Sequence, residues 1–160
     1  MRVSLTRSSL LIAAVLLMLL ISFASAFALD MSSIEKHAAA YNSRVANAPY
    51  VLTSMLGSEK INLIVTRNNG TVFRAGMDMV SAKIEHVVPG GYSDASIIVT
   101  TTESTINDVV RSKEKISEFK NMTDEGRIKF ETNNWLTEIK LKAALSSASV
   151  LQFGYDLFFS

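Results

Sequence analysis

Ile61-Asn62-Leu63-Ile64-Val65-Thr66, then Arg67-Asn68-Asn69-Gly70-Thr71-Val72, then Phe73-Arg74-Ala75-Gly76-Met77-Asp78-Met79 reads as two strands and a tight turn. Ile61, Leu63 and Val65 alternate with Asn62, Ile64 and Thr66, and Phe73, Ala75, Met77 and Met79 alternate with Arg74, Gly76 and Asp78. A period of two places one set on each face of a strand, so both strands carry an apolar face. Asn68-Asn69-Gly70 supplies residues that tolerate positive φ, which a hairpin turn requires. An antiparallel pair with one buried face needs something apolar laid against it.

The flanking sequence supplies that layer. Ser32 followed by Glu35 forms a capping box, and Ile34, Ala38, Tyr41 and Val45 recur at helical spacing up to Pro49. Tyr50 to Leu56 reads as a further short turn of helix closed by Gly57. Beyond the hairpin, a third strand is expected over 83–88, stopped by Pro89-Gly90-Gly91, and a β-branched fourth over 95–102. Ile106, Val109 and Val110 then mark a helix that Thr102 caps, and Ile116, Phe119 and Met122 mark a second, ending by Gly126. Residues 127–132 read as a fifth strand with Ile128 and Phe130 inward. Asn133 or Asn134 caps a long final helix, lined on one side by Leu136, Ile139, Ala143, Ser147 and Val150. Leu151, Phe153, Tyr155, Leu157 and Phe159 alternate at period two, with Phe158 added, and are expected to close over the core as a last strand or a helix extension. The sharper alternative is an apolar flap over a ligand or against a membrane. With no repeat and no linker, the expected fold is one α+β domain with a mainly antiparallel sheet of about five strands packed against helices.

Residues 1–28 have a different character. Arg2 and Arg7 precede an apolar run from Leu10 to Leu29, with Ala24-Ser25-Ala26 and Ala26-Phe27-Ala28 as A-x-A sites at its far end. This is the layout of an export signal. If cleaved, it leaves a domain over 29–160. If retained, twenty residues span a bilayer core of about 30 Å as an anchor. Both outcomes place the domain outside the cytoplasm, secreted or held at the outer face of the cell membrane.

Charge and cysteine content exclude several classes of activity. The chain of 160 residues carries 16 basic and 15 acidic side chains. Residues 1–28 hold two of the former and no acid, which leaves 14 basic and 15 acidic, a net charge of −1. Nothing there attracts nucleic acid or an anionic surface as a whole. The absence of cysteine excludes disulfides, thiolate nucleophiles and iron–sulfur ligation. His37 and His86 are the only histidines, which is thin support for a metal centre. No nucleophile elbow, Walker loop, HExxH helix or dinucleotide fingerprint is present. No catalysis, metal or cofactor is expected. Asn69-Gly70-Thr71 and Asn121-Met122-Thr123 fit the N-glycan acceptor pattern, which makes Asn69 and Asn121 candidate modification sites in an exported chain.

The order of elements and the character of the residues over about 61–151 resemble the sterol carrier protein 2 (SCP-2) domain. The resemblance rests on the hairpin and on the strand Asp94-Ala95-Ser96-Ile97-Ile98-Val99. It continues through the helix opened by Thr102-Glu103-Ser104-Thr105-Ile106 and through Glu118-Phe119-Lys120-Asn121-Met122. Gly126-Arg127-Ile128-Lys129-Phe130 and a closing helix with Leu136, Ile139, Ala143 and Ala144 complete it. The resemblance implies a tunnel between sheet and helices that takes sterols, fatty acids or other lipids. Met77, Met79, Phe119, Met122 and Trp135 suit such a lining, with Leu136 and Ile139 from the closing helix, because Met adapts to irregular shapes and aromatics offer broad surface. The expected function is non-catalytic binding of a lipid or other apolar ligand. The alternative is a cell-surface protein-interaction domain with a filled core, and a weaker one is a subunit of a hydrolase or transferase.

Overall fold

The computed structural model describes residues 29–55 and 58–159. The expected export segment lies outside the described residues. Helix α1 spans Met31–Arg44 and runs into a 3-10 turn, Val45–Asn47, ahead of Pro49; α2 spans Tyr50–Met55. Strands β1 (Lys60–Thr66), β2 (Val72–Val80), β3 (Lys83–Pro89) and β4 (Ile97–Thr102) follow. Helices α3 (Glu103–Arg111) and α4 (Lys115–Asp124), strand β5 (Lys129–Thr132), and helices α5 (Trp135–Leu145) and α6 (Ala148–Phe159) complete the chain.

The five strands form one sheet in the order β3-β2-β1-β4-β5. All neighbours are antiparallel except β1 and β4, which run parallel. The register turns the alternation into rows. Met77 faces Ile61 and Ile61 faces Ile97; Ala75, Leu63, Val99 and Phe130 form the next row; Phe73, Val65 and Thr101 the third. Ile61, Leu63, Val65, Ala75, Ile97 and Val99 are all buried. They form one core with Ile34, Tyr41, Leu52, Ile106, Phe119 and Val150 from the helices. The layered α+β architecture is therefore present as expected.

Helix α1 is tied to the sheet edge by polar groups as well as by packing. Tyr41 donates its hydroxyl to the Ala82 carbonyl at 2.8 Å. Asn42 donates to the Ile84 carbonyl at 2.8 Å and accepts from the Ile84 amide at 2.9 Å. That amide side chain occupies backbone groups an edge strand would otherwise offer to another chain.

Four boundaries depart from the sequence expectation. The α1 cap is Asp30, which accepts from the Ser33 amide at 2.8 Å, so the helix starts before the expected capping box at Ser32. Strand β5 begins at Lys129, because Gly126 turns at φ +72° and the amides of Arg127 and Ile128 both return to the Met122 carbonyl. The long final helix is two helices, with Ser147 belonging to neither. The alternating tail is helical, so its period of two is a coincidence of composition and the helix-extension alternative holds.

The other sheet face carries a loop that the sequence did not announce. The connection from β3 to β4 crosses β2 and β1 on the face away from the helices. Asn62 holds it there, donating to the Tyr92 carbonyl and accepting from the Tyr92 amide, each at 2.8 Å. Lys60 pairs with Asp94 at 2.6 Å. Gly90 and Gly91 adopt φ of +83° and +91°, which confirms the expected turn.

Candidate functional site

The seven residues expected to line an apolar site fall into two groups. Met77 and Met79 project from β2 to the helix side of the sheet, and Phe119 and Met122 project from α4; all four are buried in the common core. Trp135, Leu136 and Ile139 lie on α5 and are 71%, 50% and 50% exposed. The structure thus brings four together as core and leaves three on the surface.

The exposed group follows from how α5 starts. Asn134 accepts from the Thr137 amide at 2.8 Å and caps the helix, which settles the choice between Asn133 and Asn134. Asn133 in turn donates its backbone amide to the Ser96 carbonyl at 3.3 Å, fixing the helix start beside the beginning of β4. With that phase Thr137 points inward and is buried, while Trp135, Leu136 and Ile139 point outward. The expected stripe through Leu136, Ile139, Ala143, Ser147 and Val150 does not exist as one face, because the chain breaks at Ser147 and only Val150 of its large members is buried.

Helix α5 packs against α2, α6 and β5. Tyr50, at the start of α2, is itself 83% exposed. Large apolar groups left in water together mark a binding surface far more often than scattered ones do. The chemistry available there is apolar and aromatic. On the same helix Lys142 pairs with Glu138 at 2.6 Å.

The remaining candidates have structural surroundings. His37 is buried on α1, its Nδ1–H donates to the Ser33 carbonyl, and burial pulls its pKa below the ordinary value. His86 is exposed on β3. Among the described residues no group of three or more His, Asp or Glu side chains is placed to hold a metal. Asn69 is exposed in the hairpin turn, its Oδ1 accepting from both the amide and the hydroxyl of Thr71. Asn121 is exposed within α4, where the hydroxyl of Thr123 donates to the Phe119 carbonyl instead. Among the described residues no helix is long and apolar enough to cross a membrane.

A hollow of about 310 Å³ lies elsewhere, near the carboxyl ends of β1 and β4, and none of the seven expected residues lines it. Sequence reasoning missed it because its wall is assembled from three strands, the first turn of α3 and a loop.

No family model matches this sequence, and no curated protein does. Among solved structures, the sterol carrier protein domain 2 of Helicoverpa armigera matches at 17% identity over 77% of this chain and 91% of its own, with a TM-score of 0.49. Sterol carrier protein 2 from Yarrowia lipolytica matches at 18% identity over 75% of this chain and 98% of its own, with a TM-score of 0.43. A conserved hypothetical protein from Thermus thermophilus, described as possibly a sterol carrier protein, matches at 10% identity over 74% of this chain and 80% of its own, with a TM-score of 0.46. Likeness at this level does not transfer a function.

Proposed function

We propose that this chain is a non-catalytic binder of a lipid or other apolar ligand, with the start of α5 as its contact surface. One observation carries the reading: α5 begins with three large hydrophobic side chains, Trp135, Leu136 and Ile139, left half or more exposed beside a continuous apolar core. Covering them with an acyl chain or sterol removes apolar surface from water, worth roughly 25 cal/mol per Å². The element order resembling a sterol carrier domain supports the same class of ligand. The apolar run from Leu10 to Leu29 supports a site of action outside the cytoplasm, with the segment either cleaved or kept as an anchor.

A second reading rests on the complete burial of Phe119 and the near-complete burial of Met77, Met79 and Met122. Such packing fits a filled core, with the α5 surface docking another protein. Native mass spectrometry of the intact protein, purified from its own host without delipidation, separates the two. A co-purifying lipid mass that is lost on denaturation supports the carrier. An apo mass that stays unchanged after incubation with mixed phospholipids and fatty acids overturns it and leaves α5 as a protein-docking surface.

A further inference from the structure

The hollow near the ends of β1 and β4 belongs to different chemistry from α5. Thr66 pairs with Val72 and Thr102, Ile64 with Thr100, and Thr100 with Lys129. Thr66, Thr100, Thr102 and Lys129 therefore share the face opposite the core, on three strands about 4.8 Å apart. Together with Arg127 and Gly126 they line the space of about 310 Å³. A side chain built on Gly126 would meet nothing within 4 Å, so this flank is open.

Some polar groups of the wall are already used. Thr102 caps α3 by accepting from the Thr105 amide, Thr101 donates to the Arg127 carbonyl, and Arg127 pairs with Asp108 at 2.6 Å. The hydroxyls of Thr66 and Thr100 and the ammonium of Lys129 have no partner among the described residues. No carboxylate lines the hollow. Two hydroxyls and a cation on the wall of a hollow whose described lining has no carboxylate, with Asp108 held by Arg127, match a tetrahedral oxyanion.

The position of the chain fits one source of that anion. Arg67 follows Thr66, and its guanidinium donates to the Leu29 carbonyl at 2.5 Å. Leu29 is a core residue at 5% exposure and also the last residue of the apolar run. Leu29, the end of the apolar run, thus lies at the pole that holds the hollow. An anchored domain would hold this pole against lipid headgroups.

We propose that the hollow binds a phosphate group, presented by a phospholipid headgroup or as free phosphate. It does not depend on the apolar site, and either can fail alone. The test uses the full chain in neutral detergent, titrated separately with short-chain phosphatidylglycerol, inorganic phosphate and chloride, and follows the backbone amide resonances. The expected result is saturable shifts at Thr66, Thr100 and Lys129, with an affinity of about 1 mM or tighter. Lys129→Glu should weaken it about tenfold or more, since one charge-assisted hydrogen bond is worth at least that factor. Lys129 is exposed, so this variant keeps its fold, and Thr100→Val gives a second, uncharged variant. Saturation by the lipid alone assigns a headgroup site, and saturation by both ligands assigns a general phosphate site. Saturation by inorganic phosphate alone assigns a free-anion site. Shifts that match the chloride control, or that survive Lys129→Glu unchanged, overturn the proposal.

Discussion

Gly76 lacks a side chain because Tyr92 occupies the space above it: a Cβ there would lie 2.6 Å from the Tyr92 ring. Gly76→Ala should destabilise the protein by about 1–3 kcal/mol, as overpacking does. Urea titration of Gly76→Ala, Tyr92→Ala and the double variant checks this, and the double variant should lose less than the sum because the clash is gone. His37 sets a pH response at the same scale. Burial is the largest cause of its lowered pKa, with Lys36 adding to it and the bond to the Ser33 carbonyl opposing it. The unfolded chain takes up this proton first, below about 6.5, so stability is whole above that value and falls as acid is added beneath it. Asp30 and Asp94, lowered by the Ser33 amide and by Lys60, lose their contribution only below the ordinary carboxylate value of 3.8. Urea midpoints across this range should fall in two steps, and His37→Gln should remove the upper one. Asn69 and Asn121 were equally legible as acceptor sites in sequence, but α4 holds the second in a helix, which only its neighbours decide.

Among the elements, the strands and short helices were readable because each carries its own period. The Asn-Gly turn, the Thr102 cap and the stop at Pro89-Gly90-Gly91 are local chemistry, and all three hold. Periodicity failed where the chain broke without a strong signal. Ser146-Ser147 contains neither glycine nor proline, so the stripe drawn through it joined Leu136 to Val150 across two helices. The residues on either side now differ in burial, and their responses to mutation should differ accordingly. Val150 is fully buried, and Val150→Ala should cost about 2 kcal/mol by denaturant unfolding. The edge of β3 is a second case. Asn42→Ala removes both bonds to Ile84 and should cost about 1–3 kcal/mol while raising aggregation, measured by light scattering at matched stability.

Across the full domain, the arrangement separates a polar pole from an apolar surface. Leu29 and the hollow lie at the end of β1 that holds Thr66, whereas Trp135 starts beside Ile97, which pairs with Ile61 at the other end. Five residue steps along the strand separate Thr66 from Ile61, about 17 Å. Replacing Trp135, Leu136 and Ile139 together by Ser should leave the melting temperature nearly unchanged, because they are exposed, while abolishing any co-purifying lipid. Trp135 is the only tryptophan, so its fluorescence reports the same event, with a blue shift on binding in the wild-type protein. Pattern along the chain was enough for the α+β class, the hairpin and its turn, the apolar core face and the absence of thiol chemistry, because each depends on composition or on neighbours within a few residues. Three-dimensional packing was needed to sort the candidate residues into packed and exposed, to lay Tyr92 over the second sheet face, and to gather Thr66, Thr100 and Lys129 from three strands. Those outcomes depend on helix phase and strand order, which bring residues tens of positions apart into contact and leave no period in the chain to read.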